Sequence, residues 1–173
     1  MRRKKRRNPF VTLLLWIAAI VIAFGISQYL RTNVFEVIKV SGDSMYETMM
    51  DGDLVLVTKG DYREQAPMRG EIVAIRDDKG VILRRIIGLP GETIEVKDGE
   101  TYINGERFLE SYMFRTYENY EGRTVSPNRY YVMGDNRMST YDSRDDSLGL
   151  IAAEDLVGKV RYVIWPFNHF TTF

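Results

Sequence analysis

The sequence has no cysteine and a single histidine, His169. Without cysteine there is no disulfide, no thiolate nucleophile and no thiolate-ligated metal. One histidine excludes a multi-histidine metal centre, and a Ser-His-Asp triad would have to run through His169 itself. No internal repeat divides the chain. Basic charge is scarce where a nucleic-acid binder would carry it. Six of the 24 basic residues form the run Arg2–Arg7, and the rest of the chain is net acidic. A nucleic-acid surface instead spreads Lys and Arg over its fold. No nucleic-acid partner, cofactor or metal is expected.

The longest uniform stretch runs from Phe10 to Leu30, almost unbroken in apolar character. About 20 such residues cross a hydrocarbon core of ~30 Å as a helix. Pro9 suits a helix start, and Gln28, Tyr29 and Arg31 mark the far interface. The small-x-small triplet Gly25-Ile26-Ser27 resembles a signal-peptide cleavage site. The apolar run nevertheless exceeds the ~7–15 residues of a signal core, and the triplet lies inside it. The reading is a retained transmembrane helix over 10–30 behind a basic cytoplasmic segment, 1–9. Basic residues stay on the cytoplasmic side, so residues 31–173 are expected outside the cytoplasm. About 140 residues then remain for one domain with its own core.

That domain reads as mainly β, with many short strands and tight turns. Strand candidates are Val34–Val40, Leu54–Val57, Glu71–Arg76, Val81–Ile87, Thr93–Val96, Thr101–Ile103, Arg129–Met133 and Val160–Trp165. They are punctuated by Asp51-Gly52-Asp53, Asp77-Asp78-Lys79-Gly80 and Asp98-Gly99. Residues 106–128 show no period and read as a surface insertion. Ile151–Leu156 reads as a helical turn. The closing aromatics Trp165, Phe167, Phe170 and Phe173 suit either core packing or a lipid interface.

One serine stands out. Ser44 follows a flexible Gly42 in the stretch Ser41-Gly-Asp-Ser-Met-Tyr-Glu-Thr48. Taken alone, Gly-Asp-Ser is a common turn. Further segments follow in order: Asp51-Gly-Asp-Leu-Val-Leu-Val-Thr-Lys59, Arg69-Gly-Glu-Ile-Val73, Arg84-Arg-Ile-Ile-Gly-Leu-Pro-Gly-Glu92 and Gly134-Asp-Asn-Arg-Met-Ser-Thr-Tyr-Asp-Ser-Arg144. Any one is weak; the ordered set is specific. It resembles the bacterial type I signal peptidases, in particular their single-anchor Gram-positive form, from the anchor almost to the C-terminus.

The resemblance implies a signal-peptidase-like antiparallel β domain after one transmembrane helix. It implies a serine endopeptidase that removes signal peptides from exported preproteins after small-x-small motifs, with a lysine as general base. Ser44 is then the nucleophile and its backbone N–H an oxyanion donor. Asp142 and Arg144 match a structural ion pair beside the site. Thr140 stands where a serine often supports the lysine. Val40, Ser41, Met45, Ile82 and Leu83 match segments that flank the substrate's small residues. The implied partners are exported preproteins and membrane lipid; no oligomeric state follows.

Three positions depart from the family pattern. Glu47 replaces a proline and Ser139 a common asparagine. The lysine position is Arg84, which shares a strand face with Ile82 and Ile86. Arginine is effectively always protonated. Neutralising it at pH 7 would cost roughly 7–9 kcal/mol at about 1.36 kcal/mol per pKa unit. No substitute base is evident. Lys79 lies in a hairpin turn at odd spacing from position 84 and is expected to point elsewhere, while Lys59 and His169 lie on other segments. The sequence therefore implies a peptidase with impaired turnover. The alternative is a non-catalytic relative that uses the same cleft to bind or assemble exported subunits.

Overall fold

The computed structural model describes residues 8–63, 65–113 and 119–173. The chain divides into two compact units, one ending at Phe35 and the other spanning Glu36–Phe173. The first is a single helix, α1, Pro9–Asn33. Asn8 caps it by accepting from the Phe10 N–H at 3.1 Å, and Pro9 has no N–H to leave unpaired. The helix is apolar on all sides and none of its residues is buried, as expected of a membrane span rather than a core helix. Its 25 residues reach roughly 37 Å, enough to cross a bilayer core.

The second unit is antiparallel β. Its strands are β1 Phe35–Lys39, β2 Leu54–Thr58, β3 Ile72–Asp77, β4 Gly80–Gly88, β5 Thr93–Lys97, β6 Glu100–Ile103, β7 Glu106–Phe108, β8 Tyr120–Thr124, β9 Arg129–Met133, β10 Ile151–Ala152, β11 Leu156–Trp165 and β12 Thr171–Thr172. The larger sheet has the order β1-β2-β11-β3-β4-β9-β10, with β12 on β11; the smaller runs β7-β6-β5-β8. Strand β11 is the hub, pairing with β2 on one side and β3 on the other. Gly158 permits this. A Cβ there would lie 2.1 Å from the Thr58 carbonyl oxygen.

Local sequence explains the elements. In β2, Val55 and Val57 are buried while their neighbours are half-buried, the two-residue period of a strand with one face inside. In β3, Ile72–Ile75 are all buried because both faces are covered. The β3–β4 hairpin holds the register Ile72↔Arg85 to Asp77↔Gly80. Asp98 and Gly99 both have positive φ, as a two-residue hairpin turn requires. One core, including Val40, Met45, Met49, Val55 and Leu83, underlies the Ser44 loop. A second joins Val73, Ile75, Ile86 and Val132. A third lies between the two sheets, around Ile87, Ile94, Val96 and Met133.

The fold departs from the sequence reading in three places. Residues 106–128 carry β7 and β8, half of the smaller sheet, and Tyr112 packs into the third core. Residues 114–118, including Tyr117, lie outside the described residues. Ile151 opens the short strand β10 before a 3-10 turn over Ala153–Asp155. The closing aromatics divide: Phe173 packs on the first core, whereas Trp165, Phe167 and Phe170 are 51%, 76% and 57% exposed.

Candidate active site

The Ser44 loop is held at both ends and from above. At its base, the Val40 N–H donates to the Asp53 carbonyl at 2.8 Å and the Gly52 N–H to the Val40 carbonyl at 3.0 Å. The Gly42 N–H donates to Asp51 Oδ1 at 2.8 Å, with Gly42 at φ +82°, a conformation glycine adopts without strain. Asp53 accepts from the Met50 N–H at 2.9 Å and lies 2.8 Å from His169 Nδ1. Met45 and Met49 plug the loop into the core. From above, the Asn136 N–H donates to the Ser44 carbonyl and the Asn136 side-chain amide to the Asp43 carbonyl, each at 3.0 Å. A Cβ on Gly134 would stand 2.5 Å from the Ser44 carbonyl oxygen, so that residue must be glycine for the loop to seat.

Three buried ion pairs fix the surrounding frame. Arg85 chelates Asp135, with Nε–Oδ1 at 2.8 Å, and Thr48 Oγ1 donates to the same carboxylate. Arg137 pairs with Glu110. Arg144 reaches Asp142 through Nε at 2.8 Å and Nη2 at 2.7 Å, both side chains fully buried. The Asp142 carboxylate also accepts from the Gly134 N–H at 3.1 Å, and Arg144 Nη1 donates to the Arg137 carbonyl at 2.8 Å. The Asp142–Arg144 pair thus staples the loop that carries Asn136. The pairs have their stabilising counter-charges in place, and removing either partner would strand a buried charge.

Arg84 meets Ser44 from the side of β4. Its cross-strand neighbour is Val73, and Val73, Ile82 and Ile86 pack in the second core, as the shared strand face requires. Arg84 is only 5% exposed. Its Nη1 donates to Ser44 Oγ at 2.7 Å and to the Leu83 carbonyl at 2.6 Å; Nε donates to the Tyr141 carbonyl at 2.9 Å, joined by Nη2. Burial pulls the guanidinium below its usual range, opposed by the nearby Asp142 carboxylate. The starting value is so high that the group remains a cation at neutral pH. It therefore donates to Ser44 and does not accept.

A cleft of about 340 Å³ opens beside this pair. Its walls include Val40, Ser41, Met45, Ile82 and Leu83, so the five positions expected to flank a substrate come together with Ser44 and Arg84. Two strand edges frame it. β1 ends the sheet order, and β4 pairs with β9 only from Arg85 onward, at Arg85, Ile86 and Gly88. Among the described residues the Ser44 backbone N–H meets no acceptor, which leaves it available to an incoming oxygen.

Two expectations need revising. Thr140 is exposed, and among the described residues its hydroxyl makes no hydrogen bond to Arg84; the Tyr141 carbonyl occupies that role. Lys79, expected to point away, lines the cleft with its ammonium 3.9 Å from the centre of the Tyr141 ring. Tyr141 OH in turn donates to Asp77 at 2.9 Å. The hairpin turn lets Lys79 fold back over the cleft, which strand parity alone does not anticipate. His169 is committed to Asp53, below the loop, and is not among the cleft residues.

The family model described as signal peptidase, peptidase S26, matches residues 13–165. The chain belongs to the signal peptidase family. Among its relatives, signal peptidase I T of Bacillus subtilis is 39% identical, covering 95% of this chain and 90% of the relative. Signal peptidase I of Bacillus amyloliquefaciens is 37% identical over 88% and 86%. Signal peptidase IB of Staphylococcus aureus is 31% identical over 91% and 92%. A crystal structure of a signal peptidase I from Enterococcus faecalis is 31% identical with a TM-score of 0.47, covering 55% of this chain and 97% of that one. As a member of this family the protein is a serine endopeptidase of signal peptidase I type, and the comparisons do not favour the alternative of a binding module. The N-terminal apolar helix fits its membrane anchor.

Proposed function

We propose that Ser44 is the nucleophile with which this signal peptidase cuts exported preproteins after small-x-small sequences, and that Arg84 in the general-base position makes the chemical step slow. The observation that carries this is the 2.7 Å bond from Arg84 Nη1 to Ser44 Oγ. A lysine tuned by burial loses its proton and can take that of the serine. A guanidinium holds Ser44 in place with the proton still to be placed.

The cleft accepts the stretch before the scissile bond as an extended strand between the open edges of β1 and β4. Backbone hydrogen bonds give the register, and the apolar walls at Val40, Met45 and Leu83 admit small side chains. The scissile carbonyl then lies against Ser44 Oγ, with the free Ser44 N–H facing its oxygen. That donor survives the change at position 84; such a donor is worth roughly 3–4 kcal/mol to the transition state. General-base catalysis, worth about 10²–10⁴-fold, is what the arginine forfeits.

The anchor runs with its basic end in the cytoplasm and the β unit outside. Lipid is a second partner. Trp165 and Phe167 meet edge to face at 4.9 Å, and Tyr162 and Phe170 stack at 6.1 Å. Only Val34 separates α1 from β1. Exposed aromatics on a domain tethered this closely suit the membrane–water interface.

The deciding experiment is preprotein cleavage by the full-length protein in detergent micelles. The native enzyme should be slow at neutral pH, Arg84→Lys should be faster by about 10²-fold or more, and Ser44→Ala should be inactive in both backgrounds. Fast native cleavage with no gain from Arg84→Lys would overturn the assignment of Arg84.

A further inference from the structure

Arg84 is exceptional among the arginines buried around the site. Arg85, Arg137 and Arg144 each face a carboxylate. Arg84 is as deeply buried, yet among the described residues it has no carboxylate within ion-pair distance, and every acceptor it meets is neutral: the Tyr141 and Leu83 carbonyls and Ser44 Oγ. A buried cation with no carboxylate bonded directly to it is costly to keep. Here it lines the cleft beside Ser44.

We infer that the cleft is a binding site for a peptide's C-terminal α-carboxylate, and that it retains the cleaved signal peptide, which ends in a small residue with a free carboxylate. This rests on the reading of the cleft as the place where the stretch before the scissile bond lies. One carboxylate oxygen accepts from Arg84 Nη1, taking the bond now made to Ser44 Oγ. The other accepts from the free Ser44 N–H, and the Ser44 hydroxyl donates to either. The remaining Arg84 contacts, to Tyr141 and Leu83, stay as they are and keep the guanidinium aimed. Val40, Met45 and Leu83 bound the space for the terminal side chain.

The selectivity follows from charge. Before cleavage the same place receives a neutral amide carbonyl; after cleavage it receives an anion. A buried guanidinium distinguishes these strongly, because charge-assisted bonds to a carboxylate are about twice as strong as bonds to a neutral acceptor. A neutral lysine would not discriminate in this sense. The chain at position 84 thus exchanges proton acceptance for product affinity, so slow chemistry is followed by slow release.

The test uses full-length protein in micelles and a fluorescent peptide ending Ala-Gln-Ala, prepared as free acid and as C-terminal amide. Binding is read by polarisation at neutral pH and moderate salt. The acid should bind at least about tenfold more tightly than the amide, a difference of about 1.4 kcal/mol. In Arg84→Gln, with its β signature intact by circular dichroism, the two should converge. Equal binding of acid and amide to the native protein would overturn the carboxylate site while leaving the peptide cleft standing, and needs no variant. Binding of neither form would overturn the cleft reading as well. Persistent acid preference in Arg84→Gln would remove Arg84 from the site.

Discussion

Position 84 places a cation against Ser44, and in the proposed mechanism its proton chemistry sets how the enzyme responds to pH. Burial lowers the pKa of Arg84, which favours the neutral form, but a guanidinium starts so high that it stays protonated at pH 7. Below the folded pKa each pH unit multiplies the neutral fraction about tenfold. If Arg84 accepts the serine proton, residual cleavage should climb about tenfold per unit from pH 7 to 10 without levelling. Arg84→Lys should level off at lower pH, because lysine starts near 10.4 and burial lowers it too. Initial rates across that range decide the point. Gly134 is the other sensitive residue. Arg84 and Ser44 can keep their identities while Gly134→Ala pushes a methyl into the Ser44 carbonyl. Overpacking of this kind costs about 1–3 kcal/mol, and here it displaces Ser44, the proposed nucleophile. Activity of Arg84→Lys should fall at least about tenfold on adding Gly134→Ala, more than any loss of thermal stability accounts for. The sequence exposes Ser44, Arg84, Asp142 and Arg144 through their identities. It hides the Tyr141 carbonyl, which holds Arg84, because every residue has a carbonyl and only the path of the loop selects this one. Thr140 is the side chain a motif comparison singles out, but the loop turns it outward.

At the scale of elements, the decisive piece is the turn-rich segment after β9, which carries Asn136 to the Ser44 loop. Asp142 serves it twice, through Arg144 and through the Gly134 N–H. Asp142→Asn leaves Arg144 buried without its counter-charge, and breaking such a pair costs about 3–5 kcal/mol. Chemical denaturation of the variant should show a loss of that order, with the loss of cleavage following the loss of fold. The strands themselves were legible, since turns such as Asp77–Gly80 and alternation such as that in β2 are local signals. β7 and β8 were not. Their burial patterns are mostly exposed or half-exposed, so the two-residue period that announces a strand is absent. They are strands because β6 and β5 offer them hydrogen-bonding edges, a tertiary cause that overrides weak local preference. The same limit applies to Lys79, whose direction depends on the hairpin turn rather than on strand parity.

For the whole molecule, the exposed aromatics give a measurable consequence. Replacing Trp165, Phe167 and Phe170 together by Ser should leave the β unit folded, since none is buried, and should lower cleavage of a membrane-inserted preprotein more than cleavage of a short soluble peptide. Equal losses on both substrates would remove lipid contact from the account. The order of the strands has a consequence of a different kind. The central partner of β2 and β3 is β11, supplied by residues 156–165, after β1 to β10 have been made. While the polypeptide is being made, everything from β1 to β10 can be present and the larger sheet still lacks its middle. The Ser44 loop rests on β2, whose inner partner is β11, and the loop over it is anchored through β9. A growing chain that has already made α1 is therefore a protease with its parts unassembled, and its larger sheet closes only once Leu156–Trp165 has been added as β11.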